Sequence, residues 1–235
     1  MEEQARTNTI SLSEKAYQTI RALILGNEFR AGEQILEKVL VERLSISRTP
    51  IREACIQLQK EGLIEIRPRR GIYIKPISAA DMNEIYDIMS ALEAQAAKVL
   101  ANKISQKKIT NKELEKLETP TVNMEKALET KNLKAWAEAD EEFHLALLEL
   151  CGNKRLKEAV LKYWGQVHRV RYFTLELRGQ PSDSTDDHRA LLDAIRSGNP
   201  RKAADIHEHH RQKAKQNLLD IIEKFERITV ASPFC

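Results

Sequence analysis

The chain has 235 residues, 42% of them hydrophobic, 31% charged and 5% aromatic, a balance that excludes a disordered polyelectrolyte, and no run approaches the roughly 18 apolar residues of a membrane span. Cys55, Cys151 and Cys235 lie far apart, which argues against a disulfide framework and a Cys-based zinc site; with no signal-peptide core, free thiols in a cytoplasmic protein are expected. The net charge of +3 is uneven: residues 43–75 carry Arg43, Arg48, Arg52, Lys60, Arg67, Arg69, Arg70 and Lys75 against Glu53, Glu61 and Glu65, whereas residues 77–235 are neutral.

In chain order, Leu12, Ala16, Ile20, Leu23 and Ile24 recur at helical spacing after a Ser11-x-x-Glu14 capping box, which predicts a helix over 12–25 stopped at Gly26. A short helix follows near 37–44. A third begins behind Ser47 or Thr49, with Pro50 in its first turn and Ile51, Ala54, Cys55 and Leu58 as its buried face. The period then switches to two short β-branched runs, 63–67 and 72–75, around a basic four-residue tip, Pro68-Arg69-Arg70-Gly71. Three helices and a hairpin over residues 1–76 outline a winged helix-turn-helix.

From Ser78 onward the pattern is helical throughout. Ser78-x-x-Asp81 opens a helix to about 102, and Thr110-x-x-Glu113 opens the next, with an interruption expected at Thr119-Pro120. Asn132 opens a helix ending at Gly152, and Asn153 another to about 177. Residues 179–184 read as a loop, followed by helices near 186–196 and 200–227. The expected architecture is mainly α: an N-terminal winged helix-turn-helix (1–76), a C-terminal all-helical bundle of six or seven helices (77–227) and a tail (228–235).

Two constellations carry chemistry. Arg48 and Thr49 at the start of the third helix, with Arg52 on its polar side, suit base edges in a major groove; Lys38 and the wing-tip Arg69 and Arg70 suit phosphates or the minor groove. In the bundle, Asp140 and His144 are i and i+4 on an otherwise apolar face, and His188 and His210 lie on the apolar stripes of two later helices, whereas His209 falls off its stripe. Burying one carboxylate and three imidazoles without a cation would leave unpaired polar groups, each costing about 1–3 kcal/mol, so a divalent metal is expected among them.

The segments Ser47-Arg48-Thr49-Pro50-Ile51-Arg52-Glu53-Ala54, Leu58-Gln59-Lys60-Glu61-Gly62-Leu63-Ile64 and Arg67-Pro68-Arg69-Arg70-Gly71 resemble the DNA-binding signature of the GntR family of bacterial transcription regulators. That resemblance implies DNA contacts at Lys38, Arg48, Thr49, Arg52 and Gly71, with Lys38 where many relatives have Arg and Ser45 where Gly is usual in the turn. Asp140-Glu141-Glu142-Phe143-His144, Gly152-Asn153, Leu156 and the His188 to His210 spacing resemble the FCD effector domain of the FadR subfamily in its metal-binding form. It implies Asp140, His144, His188 and His210 as ligands of zinc or nickel, with positions left for water or an effector's oxygens. Met89 stands where relatives commonly carry an Arg that helps hold an acidic effector, which leaves His207 and Asn217, on the stripe of His210, as pocket candidates.

The reading is a homodimeric, non-enzymatic transcription regulator that binds a palindromic double-stranded operator under control of a small metabolite, a carboxylate among the candidates. A metal-dependent enzyme would need a general base beside the metal, and none is evident. Glu208-His209-His210 does not complete HExxH because position 211 is Arg, and there is no P-loop, GxSxG, CxxC or GxGxxG motif. A helical adaptor explains neither the basic helix nor the inward histidines.

Overall fold

The computed structural model describes residues 10–110 and 112–231, with side chains to residue 225. The chain divides after Pro76 into two compact units.

The first unit holds α1 (Leu12–Leu25), β1 (Gln34–Ile35), α2 (Glu37–Leu44), α3 (Arg48–Lys60), β2 (Ile64–Arg67) and β3 (Gly71–Ile74). The Ser11 hydroxyl caps α1 by accepting the Glu14 N–H at 3.1 Å, and α1 buries Ala16, Ile20 and Ile24 against α3. Leu12, expected on that stripe, is exposed. Ser47 is the N-cap of α3, whose buried face is Ile51, Ala54, Cys55 and Leu58. These side chains meet Leu40, Leu63, Ile64 and Ile74 in one core, each large aliphatic contributing about 1.5–3 kcal/mol on full burial.

The winged helix-turn-helix is thus present, with a strand beyond the expected hairpin. β1 pairs antiparallel with β3 (Gln34 opposite Tyr73, Ile35 opposite Ile72), so the sheet order is β1-β3-β2. The Arg67–Gly71 pair closes the hairpin and shortens its tip to Pro68-Arg69-Arg70. Gly71 sits at φ +95°, and a Cβ there would come 3.1 Å from the Ile35 carbonyl, so the closure on β1 needs glycine.

The second unit holds α4 (Ala79–Ser105), α5 (Glu115–Glu129), α6 (Leu133–Cys151), α7 (Lys154–Phe173), a 3-10 turn (Leu175–Leu177), α8 (Ser182–Arg196) and α9 (Pro200–Ala231). A complete capping box starts α4, with the Ser78 hydroxyl accepting the Asp81 N–H and Asp81 accepting the Ser78 N–H. Asn132 and Asn153 cap α6 and α7 as expected. α4 packs along α9 and α6, α5 along α6, and α8 against α9, around Met82, Ala96, Ala97, Leu100, Phe143, Leu147, Leu192, Ile195 and Leu218. None of the described helices is long and apolar enough to cross a membrane.

Four sequence expectations are corrected here. The Thr110–Glu113 box forms its hydrogen bonds, yet α5 begins only at Glu115 and runs unbroken through Pro120, which is buried; the Thr121 hydroxyl donates to the Leu117 carbonyl beside it. α7 ends at Phe173 instead of near 177: Thr174 is its C-cap, and the chain tightens from there into the 3-10 turn Leu175–Leu177. α8 starts at Ser182, inside the expected loop, with Asp183 favourable in its first turn. α9 continues to Ala231, so the expected tail is helical over 228–231, and the rest of it lies outside the described residues.

Candidate functional site

In the first unit, Arg48 and Thr49 are exposed in the first turn of α3, which has no acidic residue there and whose Ser47 cap makes no side-chain bond. Arg52, one turn on, is exposed but engaged: its Nε donates to Glu37 Oε2 at 2.9 Å, tying α3 to α2. Lys38 lies 3.6 Å from Glu42 across one turn of α2, a pair of exposed charges worth little in water. Arg69 and Arg70 are exposed at the wing tip, and Arg69 adopts φ +61°. Arg67, by contrast, is occupied by the Tyr73 ring at 4.2 Å and by Glu65. Gly71 shapes the wing through its backbone.

In the second unit, α6 contributes Asp140 and His144, α8 His188, and α9 His210. All four are buried, and one ligand atom from each lies within 4.8 Å of the others. His188 Nδ1 is 2.6 Å from the Ser184 carbonyl, an acceptor only, so the proton sits on Nδ1 and Nε2 carries a lone pair. His144 Nδ1 faces Glu93 Oε2 at 3.4 Å, which favours the same tautomer. His210 Nδ1 lies 3.5 Å from Asp187 Oδ2. Each imidazole therefore has an oxygen behind one nitrogen, an arrangement that orients metal-binding histidines.

The consequence is electrostatic crowding. His188 Nε2 is 3.3 Å from His144 Nε2 and 3.4 Å from Asp140 Oδ1, with Asp140 Oδ2 3.8 Å from His144 Nε2. Burial, reinforced by His210, pushes the His188 imidazole down to about 3, and burial, with Arg211, pushes His144 well below its usual range, so both are neutral near pH 7. Burial alone would raise the Asp140 carboxyl, but the Arg171 guanidinium, which donates to its Oδ2, and the three imidazoles hold it well below the usual carboxylate range. Two lone pairs and a carboxylate thus converge on one small volume. Three imidazoles and one carboxylate suit zinc or another borderline divalent ion.

A second buried trio, Glu93, His144 and His207, also lies within 4.8 Å. Glu93 already has its counter-charge, since both of its oxygens accept from Arg211 of α9, at 2.6 and 2.7 Å. The trio is therefore better described as a buffer behind His144 than as a second cation site. His207, expected in the effector pocket, is fully buried in this trio and does not line the cavity. Asn217 does line it, and His209 is exposed.

A cavity of about 410 Å³ opens onto Asp140 and His210 and is walled by Trp136, Arg171, Arg178, Asp187, Lys213 and Asn217 among others. Its volume falls in the range of small-ligand pockets. Sequence reasoning missed Glu93, Asp187, Arg171, Arg178 and Arg211 as parts of the site. Only Arg211 left a legible signal: it falls on one helical stripe of α9 with His207, Ala214 and Leu218, of which His207 and Leu218 are buried and Ala214 partly so.

Comparison with known proteins gives the same division. Residues 12–74 match the family of bacterial regulatory proteins, gntR family, and residues 84–213 match the FCD domain. The chain is 41% identical over 133 residues to an uncharacterized HTH-type transcriptional regulator in the TAR-I ttuE-ttuC' intergenic region of Agrobacterium vitis, covering 57% of this chain and 77% of that one. It is 29% identical over 187 residues to the HTH-type transcriptional repressor RspR of Escherichia coli (strain K12), covering 80% of each. Among solved structures, E. coli McbR/YncC shares the fold with a TM-score of 0.77 at 18% identity, covering 90% of this chain and 99% of that one. With a GntR DNA-binding unit followed by an FCD domain that spans more than half its length, the chain belongs to the GntR family of DNA-binding transcription regulators and is not an enzyme.

Proposed function

We propose that this regulator binds a divalent metal through Asp140, His144, His188 and His210 and a small metabolite in the adjoining cavity, and that the two together set its affinity for a palindromic operator read by a homodimer. The observation that carries this reading is the convergence of the His144 and His188 Nε2 atoms on the Asp140 carboxylate, a crowding that a bound cation would relieve. Zinc or nickel suits the donor set, and when bound it would offer open positions to an effector's oxygen atoms. The protein's own residues do the rest: Ser184 fixes the His188 tautomer, Glu93 backs His144, and Asp187 backs His210.

Arg48, Thr49 and Arg52 are assigned to base edges and Lys38, Arg69, Arg70 and the Gly71 turn to the backbone and wing. Because the ligand site lies in the second unit, an effector alters operator affinity only if it binds the DNA-competent and incompetent arrangements unequally. The test pairs elemental analysis of protein purified without chelator with operator titration of an Asp140→Ala/His144→Ala variant. About one divalent metal per chain in the wild type and none in the variant is expected. A metal-free wild type, or full occupancy in the variant, rejects the metal assignment.

A further inference from the structure

We propose that Arg178 is the recognition group for an oxyanion, a carboxylate or phosphate, on the small ligand of this cavity. The inference deepens the reading above, from which it takes the existence of an effector.

Arg178 follows the 3-10 turn after α7, and its guanidinium folds back over the helix end. Its Nε donates to Thr174 Oγ1 at 3.1 Å and its Nη2 to the Arg171 carbonyl at 3.1 Å. Thr174 is itself fixed, since its hydroxyl donates to the Val170 carbonyl, so the guanidinium is held by a buried, oriented acceptor. Both acceptors are neutral. The other inward wall cations are committed to carboxylates, Arg171 to Asp140, Arg211 to Glu93, and Lys213 to Asp187 at 2.6 Å, while Lys224 stands exposed at the rim. Arg178 lines the cavity and, among the described residues, has no carboxylate partner.

A cation held in place, partly desolvated and with Asp140 acting on it only from beyond ion-pair contact is poised for an anion, because the ordering cost is met before the ligand arrives. Burial, and then the like charge of Arg171, push its guanidinium down to about 10, the direction expected of a cation awaiting its partner. A planar guanidinium with free donors matches carboxylate and phosphate oxygens. The geometry also explains how the cavity can recognise an acid although Met89, buried on α4, offers no charge.

The test uses full-length protein, one sample loaded with zinc and one stripped by chelator, titrated calorimetrically with malonate, inorganic phosphate and neutral malonamide. The wild type, Arg178→Gln and Arg178→Lys are compared, with zinc content and helicity measured on each sample. At least one anion should bind the wild type and malonamide should not. Arg178→Gln should weaken that anion about ten- to a hundredfold at unchanged zinc content, and Arg178→Lys should keep part of the affinity. Stronger binding of phosphate or of malonate tells which oxyanion the cavity takes. Equal affinity in Arg178→Gln, or no binding of either anion at millimolar concentration, overturns the proposal. A wild type that holds no zinc yet binds an anion through Arg178 would remove the metal reading and leave this one standing.

Discussion

Glu93 and Arg211 form a buried two-pronged ion pair: both carboxylate oxygens accept from one guanidinium, at 2.6 and 2.7 Å, and the pair joins α4 to α9, with both side chains almost inaccessible to solvent. Burying two charges costs several kcal/mol, which mutual attraction offsets only while both partners remain. Arg211→Met should therefore destabilise the second unit by about 3–5 kcal/mol, since it leaves Glu93 buried and uncompensated. The double variant Glu93→Leu/Arg211→Met should recover most of that loss. Urea unfolding of the two variants and the wild type measures the difference; a double variant as unstable as the single one would show that the pair contributes net stability.

Two turn positions in the DNA-binding unit make opposite demands. Ser45, the C-cap of α2, adopts φ +55°, a left-handed conformation that costs an L-residue about 1–2 kcal/mol. Ser45→Gly relieves that strain while loosening the unfolded chain, so a net gain of about 0.5–1 kcal/mol is expected. Gly71→Ala should cost about 1–3 kcal/mol, because its φ is +95° and the Ile35 carbonyl blocks a Cβ. Thermal unfolding midpoints moving together in the two variants would contradict this account.

Periodicity exposed what depends on local spacing. The α3 face of Ile51, Ala54, Cys55 and Leu58 follows from their positions, and so does the inward aim of Asp140, His144, His188 and His210. Strand β1 could not be read because two residues carry no period; Gln34 and Ile35 are a strand only because β3 lies beside them. Pro120 misled for a related reason: proline disfavours a helix interior locally, while burial against the bundle favours its continuation. Glu93 lies far from Arg211 in sequence, and no local pattern marks such a pair. His207 was misplaced because it shares a stripe with His210, yet one turn's difference sends it to Glu93 instead of the cavity.

Stability of metal-free protein should fall on mild acidification. An unfolded histidine titrates near 6.5, whereas burial pushes His188 down to about 3 in the folded protein, so the unfolded state binds the proton first. A depressed histidine favours folding fully above its unfolded value and loses that contribution as pH falls from 6.5 towards 3. Between pH 7.5 and 5, His188 alone should account for about 2 kcal/mol, at roughly 1.4 kcal/mol per pH unit below 6.5. His144 and His207, shifted the same way by burial, add to the slope. Asp140, held low, acts only below the ordinary carboxylate range. Urea midpoints of chelator-treated protein check this, and His188→Asn should flatten the dependence; a pH-independent midpoint across this interval would contradict it.

The DNA-binding surface separates by partner. Arg48 is exposed in the first turn of α3 with no ion pair among the described residues, whereas Arg52, on the proposed assignment, would have to leave Glu37 to reach a base edge. Arg48→Ala should therefore cost about 1–3 kcal/mol on the cognate operator and flatten its preference over altered sites. Arg70→Ala, at the exposed wing tip, should weaken every sequence alike and lower the salt slope by about one phosphate's worth. Glu37→Gln removes the carboxylate that competes for Arg52, so operator binding should tighten, by about 1 kcal/mol or less because the Arg52 end of the pair is largely exposed. Titrations of cognate and random duplexes at several salt concentrations separate these effects. Equal losses on both duplexes for Arg48→Ala would move that residue from base recognition to the phosphate backbone, and a weakened Glu37→Gln variant would show that the ion pair positions Arg52 for the groove.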